Sequence, residues 1–358
     1  MGVRARATIR LLLTCDNRCV FCAQDGLDAG RVEPLEARLG AARSESDAVT
    51  FVGGEPTLDV GLASHVAAAR ALSFRRIGVQ TNGGRFADAS YVESLVRAGL
   101  TDVHFSVHGD RAAVHDYHTG IPGSFDRALS AIAASRASRI DVAVTTVLTR
   151  SNCRVLGALP RLLASRGVAA WLISVPHAAG RAARVSDRVI PRLGLAIPFA
   201  LHALDAAHAV ALPAWIEGAP SCMLGRFATR ALTRQSRAYG AACAECEARP
   251  ACPGVDAAYL GRFGGDELAR CARIAPSEAH VEISSMFVGV GDLARVSPPA
   301  DLAQTPPAQA RVALPMLGKV KPAIAEVPSS TERKTGEALR AIFPALFEGG
   351  ASGGDSKR

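Results

Sequence analysis

Three cysteines, Cys15, Cys19 and Cys22, stand at C-x₃-C-x₂-C spacing in the stretch Cys-Asp-Asn-Arg-Cys-Val-Phe-Cys. A loop this tight turns three thiolates toward one centre and has no fourth to offer. Three sulfurs suit an iron–sulfur cluster with one iron left for an outside ligand, whereas structural zinc takes a closed set of four. Packing is the competing reading, since free cysteine is among the most buried residue types. A second group follows Pro213: Cys222, then Cys243-x₂-Cys246-x₅-Cys252, then Cys271. The inner three plus either outer cysteine would close a tetrathiolate site, for zinc or for an iron–sulfur cluster. Cys222 is the favoured fourth ligand, because Pro220 to Gly225 reads as an exposed loop and Cys271 as part of a helix. Cys153, near the start of a predicted helix, is read as a packing residue.

Other groups sit where predicted strands end. Gly53-Gly54-Glu55-Pro56-Thr57 follows the second strand. Its two glycines let backbone press against a ligand, Glu55 offers a carboxylate to a ligand ammonium, and Pro56 stiffens the exit. The third strand ends in Gln80-Thr81-Asn82-Gly83, where Asn-Gly is first of all a turn signal. The fourth ends in Ser106-Val107-His108, and alternation points Ser106 and His108 to one face. The sixth ends in Val175-Pro176-His177. His108 and His177 are the substrate-side candidates. Ser124 is placed to cap the helix after it, with Asp126 in the first turn.

The elements that must carry these groups alternate. Predicted strands are Ala7–Leu13, Ala48–Val52, Arg76–Thr81, Asp102–Val107, Ile140–Leu148 and Ala169–Val175, with helices near 58–73, 88–99, 124–137, 153–166 and 192–211. Strands and helices in this order, without hairpin signals, predict an α/β fold with a parallel sheet and helices outside. Six strands are too few for an eight-fold barrel, so the expectation is a partial (β/α)6 TIM-type barrel. In such folds chemistry gathers at the carboxyl ends of the strands.

The paired motifs, C-x₃-C-x₂-C with Phe21 before the last cysteine and Gly-Gly-Glu-Pro-Thr after the next strand, resemble the radical S-adenosylmethionine (SAM) superfamily. The resemblance spans residues 7 to about 180. It implies that Cys15, Cys19 and Cys22 hold a [4Fe–4S] cluster whose open iron is chelated by SAM. One electron then cleaves SAM to methionine and a 5′-deoxyadenosyl radical that abstracts substrate hydrogen. It implies cofactor contacts from Phe21, Gly53, Gly54, Glu55, Pro56, Thr81, Asn82, Ser106 and Val175. His115-Asp116-x-x-Thr119-Gly120 looks like a rim-supporting loop of peptide-modifying members. The second cysteine group is similar to SPASM and twitch auxiliary-cluster modules, although Asp256 stands where a full SPASM module has its next cysteine. One auxiliary [4Fe–4S] cluster is therefore expected, with zinc as the alternative.

The chain of 358 residues is nearly half hydrophobic, enough for a large core plus a small module. The expected division is a barrel over 1–212, a cysteine-rich iron–sulfur module over 213–290, and a tail over 291–358. That tail is read as a Pro-rich linker, a helix over 331–347 and a disordered end. The net charge of +8 comes from scattered Arg without interleaved aromatics, which argues against nucleic acid. No secretory signal or membrane span is read, and clustered cysteines in such a chain predict a reducing, cytoplasmic setting. Expected partners are a one-electron donor such as flavodoxin or ferredoxin, and a precursor peptide. The cysteine loop begins at residue 15, so a separate leader-binding protein is expected with that peptide. The favoured function is peptide maturation. The alternatives are a small-molecule enzyme similar to the molybdopterin-precursor synthases and a non-catalytic Fe–S or zinc protein that binds a partner.

Overall fold

The computed structural model describes residues 6–28, 33–232 and 238–273. The predicted linker, tail helix and chain end lie outside the described residues. Among the described residues eight strands pair in chain order into one parallel sheet: β1 (Ala7–Arg10), β2 (Ala48–Val52), β3 (Arg76–Thr81), β4 (Asp102–Ser106), β5 (Asp141–Val147), β6 (Ala170–Ser174), β7 (Ala214–Glu217) and β8 (Ala231–Leu232). Parallel neighbours need crossovers, which the helices supply. They are α1 (Leu35–Glu45), α2 (Leu62–Ala71), α3 (Ala89–Ala98), α4 (Ala112–Thr119), α5 (Ser124–Ala137), α6 (Leu159–Ser165), α7 (Gly180–Arg184), α8 (Ser186–Val189), α9 (Leu193–Ala209) and α10 (Ala257–Phe263). The sheet curls without joining β8 to β1, giving a partial TIM-type α/β barrel.

Central strands are covered on both faces, so they read as continuous apolar runs rather than alternations. All five residues of β2 and all five of β6 are buried. Helices present one stripe to the sheet. In α9 that stripe is Leu193, Ala196, Ile197, Ala200, Ala203, Leu204 and Ala207, at the three- and four-residue spacing of a single face. Among the described residues no helix is long and apolar enough to cross a membrane.

The sequence reading stops two strands short. β7 has four residues behind Pro213, and β8 has two, lengths at which no period can show. Pairing makes β7 a strand: Trp215 lies opposite Leu172 and Glu217 opposite Ser174. The sheet therefore runs past residue 212. Helix α1 was also unread, because only Leu39 along it is fully buried. The helix expected over 58–73 divides into a 3₁₀ turn at Pro56–Leu58 and α2, and that over 153–166 into a 3₁₀ turn at Cys153–Ala158 and α6.

At the amino ends of the strands, Arg6 pairs with Asp102 at 2.7 Å, both almost wholly buried. Arg76 reaches the same carboxylate at 3.3 Å and Asp141 at 3.2 Å. Gly78 admits this ladder, since a Cβ there would meet the Arg6 guanidinium at 2.2 Å.

Candidate active site

The cysteine loop leaves β1 beside β2. Leu11 N donates to Val52 O at 2.8 Å, Gly54 N to Leu12 O at 2.8 Å, and Glu55 N to Thr14 O at 2.8 Å. This zipper explains both glycines. A Cβ on Gly53 would meet Leu12 O at 2.5 Å, and one on Gly54 would meet Thr14 O at 2.2 Å. They press first on the backbone that leads into Cys15.

The far side of the loop rests on α4. Arg18 N donates to Thr119 O at 2.8 Å and Val20 N to His118 O at 2.9 Å. The His-Asp-x-x-Thr-Gly run, expected as a loop, is the carboxyl half of α4, closed by Gly120 at φ 70°. It does support the cysteine loop, through helix carbonyls. Ser124 is a correction too. It is the first residue of α5, whose cap Gly123 makes no side-chain cap bond. Asp116 takes that role from the preceding helix, accepting Gly123 N at 2.6 Å, Ser124 Oγ at 2.8 Å and Phe125 N at 2.8 Å.

One cleft opens at the carboxyl ends of β2 to β6, with about 970 Å³ of empty space, its open mouth included. Cys15, Cys19 and Cys22 all line it, together with Phe21, Gly53, Gly54, Thr81, Asn82, Ser106, Val175, His108 and His177. Gln80, Thr145 and Ser174 join them, none of which the motifs assign to the site. Strand-end alternation was the signal that could have found them.

Glu55 and Pro56 are not among the lining residues. The Glu55 carboxylate turns inward and gathers four internal donors: Thr57 N at 3.0 Å, Thr57 Oγ1 at 2.6 Å, Thr81 Oγ1 at 2.7 Å and Asn82 N at 2.7 Å. Burial pushes its pKa up, and the hydrogen bonds from Asn82, Thr57 and Thr81 oppose that. In this arrangement Glu55 braces the end of β3 and the turn after it.

Burial likewise raises the thiol of Cys15 to about 11 and those of Cys19 and Cys22 upward, while the Arg181 charge works against it at the latter two. Metal ligation therefore has to displace protons.

Phe21 stands edge-on to His108, ring centroids 4.5 Å apart. His108 Nδ1 accepts from Val147 N at 3.2 Å, so the ring proton sits on Nε2, a buried donor without a partner. Burial, then the neighbouring His115 and His118, depress its pKa far below the usual value and keep it neutral. His177 Nδ1 pairs with Asp256 at 2.9 Å, and its Nε2 is buried without a partner. Asp256 also caps α10 by accepting Ala258 N at 2.8 Å. One carboxylate thus links the cysteine-rich segment to the rim of the cleft.

A second, tight pocket, about 300 Å³ with its open side included, gathers Cys222, Cys243, Cys246, Cys252 and Cys271. Both candidates for the fourth thiol line it. Cys222 arrives on the 3₁₀ turn Ser221–Met223 just after β7. Cys271 brings its Sγ to 4.0 Å from that of Cys246. Its backbone N–H donates to Cys246 Sγ at 3.4 Å and lowers that thiol's pKa. Cys252 Sγ accepts from Ser221 N and Gly254 N, both at 3.4 Å. Among the described residues no three His, Cys, Asp or Glu side chains converge as a single ion would require. Cys153 lies apart, half-buried behind the 3₁₀ turn it begins.

Comparison with known proteins bears on the first site. Residues 9–151 match the family model of the Radical SAM superfamily. A stretch of 187 residues is 28% identical to the AdoMet-dependent heme synthase of Oleidesulfovibrio alaskensis, covering 49% of this chain and 47% of that protein. Another of 152 residues is 28% identical to a probable GTP 3′,8-cyclase of Saccharolobus islandicus, covering 40% of this chain and 48% of that one. The chain thus spans about half the length of the curated relatives it matches. Among solved structures, Streptococcus suis SuiB bound to precursor peptide SuiA superposes with a TM-score of 0.51 at 16% identity, over 60% of this chain and 49% of that chain. That likeness concerns the fold. The cysteine trio, the glycine turn and the strand-end cleft all lie inside or border residues 9–151, the segment of this chain that matches the Radical SAM superfamily.

Proposed function

We propose that this chain is a radical SAM enzyme that abstracts hydrogen from a peptide substrate. The observation that carries the chemistry is a single cleft lined by all three thiols of one loop, the Gly53-Gly54 backbone and a row of polar strand ends. When bound, a [4Fe–4S] cluster and SAM supply one-electron cleavage to a 5′-deoxyadenosyl radical. Cys15, Cys19 and Cys22 would hold the cluster, since three thiols leave one iron for SAM. Gly53, Gly54, Thr81, Asn82, Ser106 and Val175 line the wall where SAM would lie and would orient it there. Neutral His108 offers a fixed donor to a substrate acceptor, and His177 an imidazole oriented by Asp256.

The peptide reading rests on the second cysteine cavity. Five thiols around one space exceed the four that a closed auxiliary cluster needs. A single zinc, which takes four sulfurs at about 2.3 Å, is the alternative occupant of this space. A second reading, a small-molecule enzyme acting on a tetrapyrrole, is favoured by the 28% identity to a heme synthase over 49% of the chain.

Anaerobic incubation of the iron- and sulfide-reconstituted chain with SAM and dithionite tests the proposal. It should release 5′-deoxyadenosine, and replacing Cys15, Cys19 and Cys22 by alanine should lower release at least about a hundredfold. Unchanged release from that variant would overturn the assignment of the three thiols, and no release from the wild type would leave the partner-binding alternative. Replacing Cys243, Cys246 and Cys252 should spare SAM cleavage but abolish product from a peptide. Conversion of a porphyrin instead would move the assignment to the second reading.

A further inference from the structure

We propose that Arg181 is a positioning residue that orders the cysteine loop and supplies the positive charge easing one-electron reduction of the cluster held there. This rests on the radical SAM reading above. The Arg181 backbone N–H donates to Cys22 O at 2.8 Å, and its guanidinium donates to Cys19 O at 3.0 Å. The same guanidinium reaches Asp25 Oδ1 at 2.8 Å, and Arg184 pairs with the other oxygen of that carboxylate. Gly180, at φ 54°, lets this segment lie flat on the loop, because a Cβ there would meet Cys22 O at 2.6 Å. One residue from the β6 exit therefore holds the backbone of two of the three cysteines.

Those bonds alone would describe a strut. Charge adds a second role. Two guanidinium groups share one carboxylate, leaving a net positive charge beside Cys19 and Cys22. On the opposite side, Asp16 and Glu55 act on Cys15 with negative charge. Reduction adds one electron to the bound cluster, breaks no bond and needs an external low-potential one-electron donor. A cation next to the added charge favours the reduced form, in part screened because the Arg181 side chain is 29% exposed.

The test uses the full chain reconstituted with iron and sulfide and poised with dithionite, reading the paramagnetic signal that SAM perturbs. Arg181→Met should shift the reduction equilibrium about tenfold toward the oxidised form, ~59 mV lower for a one-electron couple. Arg181→Lys should keep most of the wild-type potential. Asp25→Asn should move it the opposite way, upward, since it unmasks the guanidinium charge. A mere strut would not give opposite signs. An Arg181→Met midpoint equal to wild type, an Arg181→Lys midpoint as low as that of Arg181→Met, or a downward shift in Asp25→Asn would each overturn the inference. If Arg181→Met fails to take up iron, the Asp25→Asn shift decides. A wild type without any SAM-perturbed signal would instead overturn the radical SAM reading, and this inference with it.

Discussion

At the scale of single residues, Gly54 and Glu55 show how a motif can serve the site from behind. Gly54 has no room for a Cβ, with Thr14 O at 2.2 Å and Leu13 O at 2.3 Å from where it would stand. Gly54→Ala must push the 13–14 backbone, and Cys15 with it. The expected cost is about 1–3 kcal/mol of stability, together with loss of most iron from the reconstituted protein. Denaturant unfolding and iron assay check the two effects separately. The Gly-Gly-Glu-Pro pattern was legible because glycine and proline announce backbone constraints locally. The direction of the Glu55 side chain was not, because its donors Thr81 and Asn82 lie on another strand's end.

At the scale of elements, strands and helices between β2 and β6 were readable because each carries enough buried residues for a period or an apolar run. The His-Asp-x-x-Thr-Gly segment was misread as a loop, since its buried residues are His115, His118 and Thr119 rather than apolar ones. The ion ladder at the opposite end of the sheet gives this scale its own test. Asp102 is 2% exposed and faces Arg6 and Arg76. Removing one partner of a buried pair leaves an uncompensated charge, at a cost of about 3–5 kcal/mol. Asp102→Ala should therefore lower the unfolding free energy by that amount, while the cleft at the far end still takes up iron. Calorimetry with an iron assay on the same sample decides it.

At the scale of the whole molecule, the buried histidines link the fold to pH. Burial lowers His104 to about 3 and His115 to about 4, so both are neutral in the folded chain. In the unfolded chain they titrate near pH 6.5. As pH falls from about 6.5 to 5, the unfolded state takes up protons that the folded state does not. Stability should then drop by about 2 kcal/mol for each such histidine. Unfolding midpoints measured at pH 7.5, 6 and 5 should show this slope, and His115→Gln should reduce it by about one proton's worth.

What the amino-acid order determined unaided is chemistry with a short reach. The thiol trio, the glycine turn and the alternation of strand and helix each lie within a few residues, so spacing alone exposes them. Tertiary structure decided which distant groups meet. Arg181 grips Cys19 across 162 residues, and His177 meets Asp256 across 79. Cys222 and Cys271, far apart in the chain, are both carried to one cavity. Such contacts depend on how the sheet curls and where β7 delivers the chain, and no local period encodes either.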